Sequence, residues 1–222
     1  MGYSYIFQTR TSRECRLFYG GDSLEWEVSV RSGKNVSTYI DRDKFNVYEI
    51  LLRGRDWAVC DQTKAEAVPV SPVDKNDFSC IDNGRKVLFD AAVIMFHGNP
   101  GENGVLQAYL EMMGVPFTTC SSFISAVTFD KFSCKQFLRE KNVKMAKDVF
   151  IRRGREKDVD TIIEKVGLPC FVKPTDGGSS FGVTKVKTKE ENPMPKDEKK
   201  VDEKISKGEG LFGIPNNGTM KL

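Results

Sequence analysis

The run at residues 91–96, Ala-Ala-Val-Ile-Met-Phe, is the feature that most constrains the fold of this chain. An unbroken apolar segment of strand length is typical of a strand buried on both faces, as in parallel sheets covered by helices. Other strand-like and helical segments alternate around it, at 16–19, 24–39, 45–52, 104–113 and 115–119. This alternation predicts the α/β class, with a doubly wound and mainly parallel sheet.

The sequence predicts four segments, with limits 1–15, 16–120, 121–189 and 190–222. The first has no helical or strand period, and the second holds the α/β alternation, with a small antiparallel excursion between 53 and 90. The third has mixed helical and strand patterns typical of a further, partial domain. The fourth combines proline breaks with charged residues and no apolar stripe, which predicts a disordered tail.

Composition excludes several classes of function. The net charge of +3 is small, and basic residues form no run before the tail, so there is no case for nucleic-acid binding. The six cysteines form no Cys-x-x-Cys pair, which argues against a zinc site and a disulfide framework. No apolar run approaches the length of a membrane span. These features predict a reduced, cytoplasmic protein without membrane or nucleic-acid partners.

The first helical segment follows a Gly20-Gly21 turn. Ser23 is the predicted N-cap of this helix, because serine hydroxyls accept backbone N–H groups at helix starts. Small or apolar residues recur every four positions and predict the stripe that the helix buries. These residues are Leu24, Val28, Ser32, Val36 and Ile40.

Two loops with polar residues are predicted at the carboxyl ends of strands, the Gly20-Gly21 turn and the loop that starts at His97. Ligands bind at such ends in parallel sheets, so Glu25 and His97 are expected to line one cleft. Structural alternatives remain open for both. Glu25 could serve only as an acidic residue in a first helical turn, and His97 could bond only a backbone carbonyl.

The segment from Lys173 to Val183 is rich in glycine and serine and lies between two short strand patterns. Glycines allow close approach of the backbone to a ligand, and consecutive N–H groups in such a turn form an anion-binding nest. With serine hydroxyls and the Lys173 ammonium group, the segment predicts a polyphosphate site. The alternative is a glycine-rich hairpin that binds nothing. It is not a Walker loop, since the Gly-x-x-x-x-Gly-Lys pattern is missing.

Four motifs occur in one order: Gly20–Ser29, His97–Gln107, Asp130-Lys131 and Lys173–Val183. Together they resemble D-alanine–D-alanine ligases, which are ATP-grasp enzymes of peptidoglycan synthesis, over about residues 16–189. The resemblance implies a pre-ATP-grasp type of N-terminal domain, followed by an incomplete ATP-grasp α+β domain.

The resemblance also implies the reaction and the roles of individual residues. ATP phosphorylates the carboxylate of a first D-alanine, and the amine of a second D-alanine attacks the acyl phosphate. Glu25 would hold the ammonium group of the first D-alanine, His97 would contact the same substrate, and Ser179 would link the loop toward Glu25. The residues implied for ATP are Lys131, Lys173, Gly178, Ser179 and Ser180. Taken alone, Lys131 could be an ordinary solvated helix lysine.

The chain departs from the family pattern at both ends. Family members hold Mg²⁺ with acidic and asparagine ligands after the glycine-serine segment, and nothing from 189 to 222 resembles those motifs. Residues 1–15 also look foreign to the fold. The sequence therefore predicts a truncated chain with little activity of its own and no metal site. Two alternatives stay open, a non-catalytic fragment that folds and self-associates, for instance as a homodimer, and a ligase of the D-alanine–D-lactate type.

Overall fold

The computed structural model describes residues 13–151, 158–178 and 182–191. Two compact units divide between Ser122 and Phe123, and each is treated by itself. The predicted α/β class is confirmed. The start of the predicted N-terminal segment, the loop residues 179–181 and nearly all of the predicted tail lie outside the described residues.

The first unit contains a seven-stranded sheet and two helices. Their bounds are β1 Arg13–Gly20, α1 Trp26–Tyr39, β2 Phe45–Arg53, β3 Asp56–Cys60, β4 Pro69–Asp74, β5 Ser79–Asp82, β6 Arg85–Val87, β7 Ala91–Ile94 and α2 Val105–Met112. The strand order is β6-β5-β4-β3-β2-β1-β7. Strand β1 pairs in parallel with β2 and with β7, whereas β3 to β6 extend the sheet beyond β2 by antiparallel pairing. The predicted antiparallel excursion thus continues the parallel sheet.

The strand predicted at 115–119 is reduced to one parallel bridge between Ala92 and Phe117. The Ala92 N–H donates to the Pro116 carbonyl at 2.9 Å, and the Thr118 N–H donates to the Ala92 carbonyl at 3.1 Å. Beyond this point the Ile94 N–H donates to the Thr118 hydroxyl instead of to a backbone carbonyl. A side-chain acceptor therefore ends the ladder that would have made a strand.

Alternate residues of β1 pack into two apolar cores on opposite faces of the sheet, as the period of a strand requires. Phe18 lies in a core with Ile50, Ile94 and Leu106, whereas Leu17 and Tyr19 lie in the core beneath α1. The run 91–96 alternates between buried and half-buried residues. Both faces of this segment are therefore covered, and the face with Ala92, Ile94 and Phe96 is covered more completely.

The buried stripe of α1 differs from the predicted one. Ser29, Gly33 and Ser37 are the buried residues of this helix, whereas Leu24 and Val28 are 58% and 41% exposed. A β-carbon placed on Gly33 would lie 2.3 to 2.5 Å from atoms of the Tyr19 side chain. The prediction was therefore wrong for Leu24 and Val28, because the helix packs so close to β1 that small side chains face Tyr19. Val36 and Ile40 are partly buried and pack against the core beneath the helix, as predicted.

The second unit contains short helices and a two-stranded antiparallel hairpin. Their bounds are α3 Ser122–Phe129, which starts at the last residue of the first unit, α4 Lys131–Arg139, α5 Val159–Val166, β8 Cys170–Val172, β9 Thr184–Val186 and a 3₁₀ turn at Lys189–Glu191. The predicted glycine-serine connection between two strands thus follows β8. Across the ranges given above, no helix has both the length and the apolar character needed to cross a membrane.

Candidate functional site

Helix α1 is anchored to the carboxyl ends of two parallel strands by Ser29. The Gly20 N–H at the end of β1 donates to the Ser29 hydroxyl at 3.1 Å. The same hydroxyl donates to the Met95 carbonyl just after β7, also at 3.1 Å. Ser29 is fully buried, so these bonds satisfy a hydroxyl that would otherwise be costly to bury. The start of α1 is thereby placed over the edge of the sheet where a ligand site is expected.

Ser23 connects the start of α1 to the loop after β7. The Glu25 N–H donates to the Ser23 hydroxyl at 3.2 Å, and the hydroxyl donates to the His97 carbonyl at 2.7 Å. The predicted N-cap position was wrong, because α1 begins at Trp26 with Glu25 in the N-cap position. Ser23 does accept a backbone N–H, but ahead of the helix, and its own proton serves to join the two loops.

The His97 ring is held from the other side by α1. Its Nε2 atom lies 3.2 Å from the Ser32 hydroxyl oxygen. Both residues are half-buried. The His97 ring therefore contacts α1 through Nε2, while the His97 carbonyl accepts the Ser23 hydroxyl.

Gly98 brings the Glu25 carboxylate next to this loop. Its φ of +80° lies in the left-handed region, and an added β-carbon would be 2.7 Å from the Ser23 hydroxyl oxygen and 3.8 Å from Glu25 Oε2. Glu25 is only 8% exposed. The structure thus brings Glu25 and His97, which are 72 positions apart in the sequence, together at one edge of the sheet.

The loop after His97 is braced by its own side chains. The Gly98 N–H donates to the Glu102 carboxylate at 2.6 Å, and the Asn103 amide donates to the Asn99 side-chain oxygen at 2.6 Å. The fully buried Gln107 donates from Nε2 to the Gly101 carbonyl. The Asp22 N–H also donates to the Asn99 carbonyl at 3.0 Å, which ties the β1–α1 turn to this loop. A buried carboxylate in a rigid frame of this kind is suited to holding an ammonium group.

In the second unit, the start of α4 is fixed to the segment after β8. Asp130 caps the helix by accepting the Ser133 N–H at 2.6 Å. The Lys131 N–H donates to the Thr175 carbonyl at 2.7 Å, and its ammonium group donates to the Gly177 carbonyl at 2.7 Å. Lys131 is therefore a contact of the glycine-serine segment and not a freely solvated lysine.

Burial lowers the pKa of Lys131, and the positive charge of Lys173 lowers it further. Desolvation and a like charge both disfavour the ammonium form. An anion bound between the two lysines would offset the repulsion between their charges and favour the ammonium form of Lys131. The arrangement therefore favours an anionic ligand such as a phosphate group.

The β8–β9 hairpin presents a different set of residues on each face. Val172 and Val186 are buried, whereas Phe171 is 61% exposed and Lys173 is also exposed. The ammonium group of Lys185, which pairs with Phe171 across the hairpin, lies 5.8 Å from the centre of the Phe171 ring. An exposed aromatic ring with lysines beside it can accept a planar base and its phosphates.

A cavity of about 470 Å³ lies within the second unit. Its lining is mostly aliphatic and comes from the hairpin, α4 and α5, including Val159, Ile162, Ile163 and Val166. None of the residues of α5 is buried. Lys131 and Lys173, two of the residues predicted to bind ATP, also line this cavity.

The predicted site residues separate into three groups. Glu25 and His97 lie together in the first unit. In the second unit Lys131 lies near Lys173 and bonds the Gly177 carbonyl, which directly precedes the half-buried Gly178. Ser179 and Ser180 lie outside the described residues. In the described ranges, no group of three or more His, Cys, Asp or Glu side chains could hold a metal ion.

Sequence reasoning missed the contacts of Ser32 with His97 and of Lys185 with Phe171. A signal for the first was present, because Glu25, Ser29 and Ser32 are spaced by four and three residues and so share one face of a helix. No comparable signal marked the second, because it depends on the register of the hairpin.

Two family models match this sequence. One, described as D-ala D-ala ligase N-terminus, matches residues 14–120, and the other, described as D-ala D-ala ligase C-terminus, matches residues 137–207. A D-alanine–D-alanine ligase from Phocaeicola vulgatus is 45% identical over 181 residues, which cover 81% of this chain and 54% of that protein. One from Flavobacterium johnsoniae is 40% identical over 178 residues, covering 80% of this chain and 54% of that protein.

Solved structures agree with these sequence matches. D-alanyl-alanine synthetase A from Vibrio cholerae has a TM-score of 0.70 at 26% identity, covering 82% of this chain and 54% of that chain. The VanG D-Ala:D-Ser ligase from Enterococcus faecalis has a TM-score of 0.68 at 28% identity, covering 81% of this chain and 57% of that chain. The chain therefore spans about half the length of the relatives it matches.

Proposed function

Because this chain belongs to the D-alanine–D-alanine ligase family, we propose that it carries the first-substrate site and part of the nucleotide site of an ATP-dependent enzyme that joins two D-alanines. The observation that carries the proposal is the linked set of Glu25, Ser23 and His97 at the carboxyl edge of the parallel strands. The resulting dipeptide would serve peptidoglycan synthesis in the cytoplasm.

Glu25 is proposed to hold the ammonium group of the first D-alanine. Its carboxylate is nearly buried, so an ion pair formed there is screened less by water than one at the surface. His97, whose loop shares the Ser23 bond with Glu25, is proposed to contact the same amino acid. Together they would fix the orientation of its carboxylate, and such positioning can supply a large part of a rate enhancement.

Lys131 of α4 is proposed to hold the phosphates of ATP together with Lys173 and Gly178 of the connection after β8. Phe171 and Lys185 lie on the two strands that this connection joins. ATP supplies the phosphoryl group that converts the D-alanine carboxylate into an acyl phosphate, which the second amine then attacks with release of phosphate. The lysine ammonium groups would offset negative charge on the transferring phosphoryl group. Ser179 and Ser180 keep their predicted roles.

Magnesium is implied by the family, but the described residues do not fit it. Mg²⁺ requires oxygen ligands in near-octahedral geometry, and the ranges that the structure describes bring no cluster of carboxylates together. No step is therefore assigned to a metal ion. Self-association as a homodimer also stays a prediction.

The first test is D-alanine binding by the 222-residue chain. We expect the sole histidine, His97, to shift its NMR signals when D-alanine is added. Glu25→Gln should weaken this binding at least about tenfold, because a charge-assisted bond is replaced by a neutral one. Its melting temperature should change little, since the side chain keeps its size.

L-Alanine is the matched ligand control, and Glu27→Gln, which alters the exposed acidic residue of the first turn, is the matched protein control. L-Alanine should not shift the His97 signals, and Glu27→Gln should bind D-alanine as the wild type does. Equal binding of D-alanine by wild type and Glu25→Gln would contradict the assignment of Glu25. Failure of the wild-type chain to bind D-alanine would contradict the substrate site as a whole.

The second test concerns the nucleotide. Lys173→Ala should weaken ATP binding at least about tenfold, because one charge-assisted contact to phosphate is worth roughly 1.5–3 kcal/mol. Lys165→Ala, an exposed lysine in the last turn of α5, is the control and should bind ATP as wild type does. Isothermal titration of the purified chain measures both. If the two variants bind ATP equally, Lys173 is not a phosphate ligand.

A second candidate is a non-catalytic chain that binds D-alanine without turning it over. It is favoured by the lack of a carboxylate cluster in the described ranges. D-alanine-dependent release of phosphate from ATP separates the two candidates, when it is measured beside a full-length relative. A choice between D-alanine, D-serine and D-lactate as second substrate requires the same assay with each compound.

A further inference from the structure

We infer that Ser32 is a positioning residue for His97, and that its hydroxyl selects the tautomer of the imidazole. The inference deepens the proposed function, since the ring matters for catalysis only if the D-alanine site is correctly assigned. It rests on the 3.2 Å contact between the Ser32 oxygen and His97 Nε2, together with the way both residues are anchored.

The position of Ser32 follows from helix geometry. Seven residues separate Glu25 from Ser32, which is close to two full turns at 3.6 residues per turn. The two side chains therefore leave the same face of the polypeptide, with the buried Ser29 between them. Because Ser29 bonds the end of β1 and the residue after β7, this face of the helix is held against the edge of the sheet, and the main chain of Ser32 is held with it.

The position of His97 is fixed at its main chain. Its carbonyl accepts the Ser23 hydroxyl at 2.7 Å, and the neighbouring Gly98 N–H donates to the Glu102 carboxylate. Both backbone groups beside the ring are thus bound. With the main chain held, the His97 side chain can still rotate. The Ser32 hydroxyl limits this rotation through its contact with Nε2 of the ring.

The direction of the Ser32 hydrogen bond determines where the imidazole carries its proton. A neutral imidazole has one N–H and one acceptor nitrogen, and the bond at one nitrogen decides the state of the other. The described residues offer the Ser32 hydroxyl proton no acceptor other than Nε2. On this ground we assign the hydroxyl as donor and Nε2 as acceptor, which leaves the imidazole proton on Nδ1.

This assignment has a consequence for the ligand. Because Nε2 accepts from Ser32, the remaining polar group of the ring is the Nδ1–H donor. A donor at this position can bond a carboxylate or acyl oxygen of the ligand. Without Ser32, the imidazole would be free to place its proton on Nε2, which is the form that free histidine prefers in water. Ser32 thus acts through His97 without being a catalytic residue itself.

The test uses the fact that the chain contains one histidine, so its ¹⁵N signals need no assignment. Long-range ¹H–¹⁵N spectra of the labelled chain, recorded without ligand at a pH where the ring is neutral, report the tautomer directly. We expect the Nδ1–H form in the wild type and in Ser32→Thr, which keeps the hydroxyl. We expect a change toward the Nε2–H form in Ser32→Ala.

Thr38→Ala is the matched control, because it removes an exposed hydroxyl from the same helix that bonds only the Asn35 carbonyl. Its spectrum should equal that of the wild type. An Nε2–H form in the wild type, or a tautomer unchanged in Ser32→Ala, would overturn the inference. An amide spectrum of Ser32→Ala as dispersed as that of the wild type ensures that a folding defect is not mistaken for a change of tautomer.

The D-alanine titration separates this inference from the proposed function. Ser32→Ala should weaken D-alanine binding about threefold to tenfold, the range expected for one lost neutral hydrogen bond. If the tautomer changes as expected but the wild type does not bind D-alanine, the positioning role of Ser32 stands and the substrate assignment fails. If D-alanine binds and the tautomer never changes, the proposed function stands and the role of Ser32 fails.

Discussion

Gly33→Ala is expected to lower the free energy of unfolding of the first unit by about 2–4 kcal/mol, above the usual cost of one inserted methyl group. The new β-carbon would lie 2.3 to 2.5 Å from Tyr19 side-chain atoms, well inside van der Waals contact. Tyr19 cannot yield easily, because it is fully buried and its hydroxyl donates to the Glu49 carboxylate at 2.8 Å. Helix α1 would have to move away from β1.

The higher helix propensity of alanine opposes the destabilisation by the clash with Tyr19, but its contribution to the free energy of unfolding is smaller. Replacing glycine by alanine inside a helix contributes about 1 kcal/mol in favour of folding. The net loss should therefore be clear in urea denaturation followed by circular dichroism. Asn35→Ala, at an exposed position of the same helix, is the control and should change stability by no more than about 0.5 kcal/mol. Equal midpoints for wild type and Gly33→Ala would mean that α1 does not pack this closely on β1.

Arg16→Met is expected to raise the free energy of unfolding by about 1–4 kcal/mol, the range seen when buried charges are replaced by apolar residues of similar volume. Arg16 is fully buried in β1, and none of its three guanidinium nitrogens has a hydrogen-bond partner among the described residues. Its guanidinium carbon lies 3.0 Å from the centre of the Phe78 ring and 3.3 Å from that of Phe89.

The two aromatic contacts are too weak to offset the burial of this charge. A desolvated cation–π contact contributes about 2 kcal/mol, whereas each buried donor left unpaired costs about 1–3 kcal/mol and more when charged. Consistent with this balance, burial lowers the pKa of Arg16 to about 8, although the nearby Cys80, Tyr109 and Asp77 act in the opposite direction. Arg31→Met, at an exposed position of α1, is the control and should leave stability nearly unchanged.

The stability difference between Arg16→Met and wild type should also depend on pH. The folded pKa of about 8 lies below the ordinary arginine value of 12.5, so the unfolded wild type binds more protons above pH 8. Wild-type stability then rises with pH in that window, and the advantage of Arg16→Met should shrink by up to about 1.4 kcal/mol per pH unit.

Other groups titrate in the same window with the opposite sign. Burial raises the pKa of the thiols of Cys15, Cys60 and Cys80, so their contribution to stability falls as pH rises. The contributions of Cys15 and Cys60 are common to both proteins and cancel in the difference. That of Cys80 does not cancel fully, because the positive charge of Arg16 lowers the pKa of this thiol. Thermal melts of both proteins between pH 7 and 10 measure the difference in stability between Arg16→Met and the wild type. An advantage of Arg16→Met that is constant with pH, or a loss of stability, would contradict this account of Arg16.

The sequence by itself determined the class of the fold and the neighbourhood of the site. The apolar run at 91–96 and the β/α alternation are local patterns, and they predicted the parallel strands β1, β2 and β7. Because parallel strands share a carboxyl edge, the positions of Glu25 and His97 just after two of them predicted that they would lie together. The motif order also predicted the family to which the chain belongs.

Only the tertiary structure decided which residues of α1 face the sheet and what they contact there. Apolar spacing favoured Leu24 and Val28 for the core, but the bulk of Tyr19 admits only a small residue such as Gly33 at the contact. The strand predicted at 115–119 ended because the Thr118 hydroxyl competes for a backbone N–H. Such outcomes depend on the distance between elements far apart in the sequence. Periodicity states which side of a helix or strand a residue occupies, but not how close the neighbouring element comes.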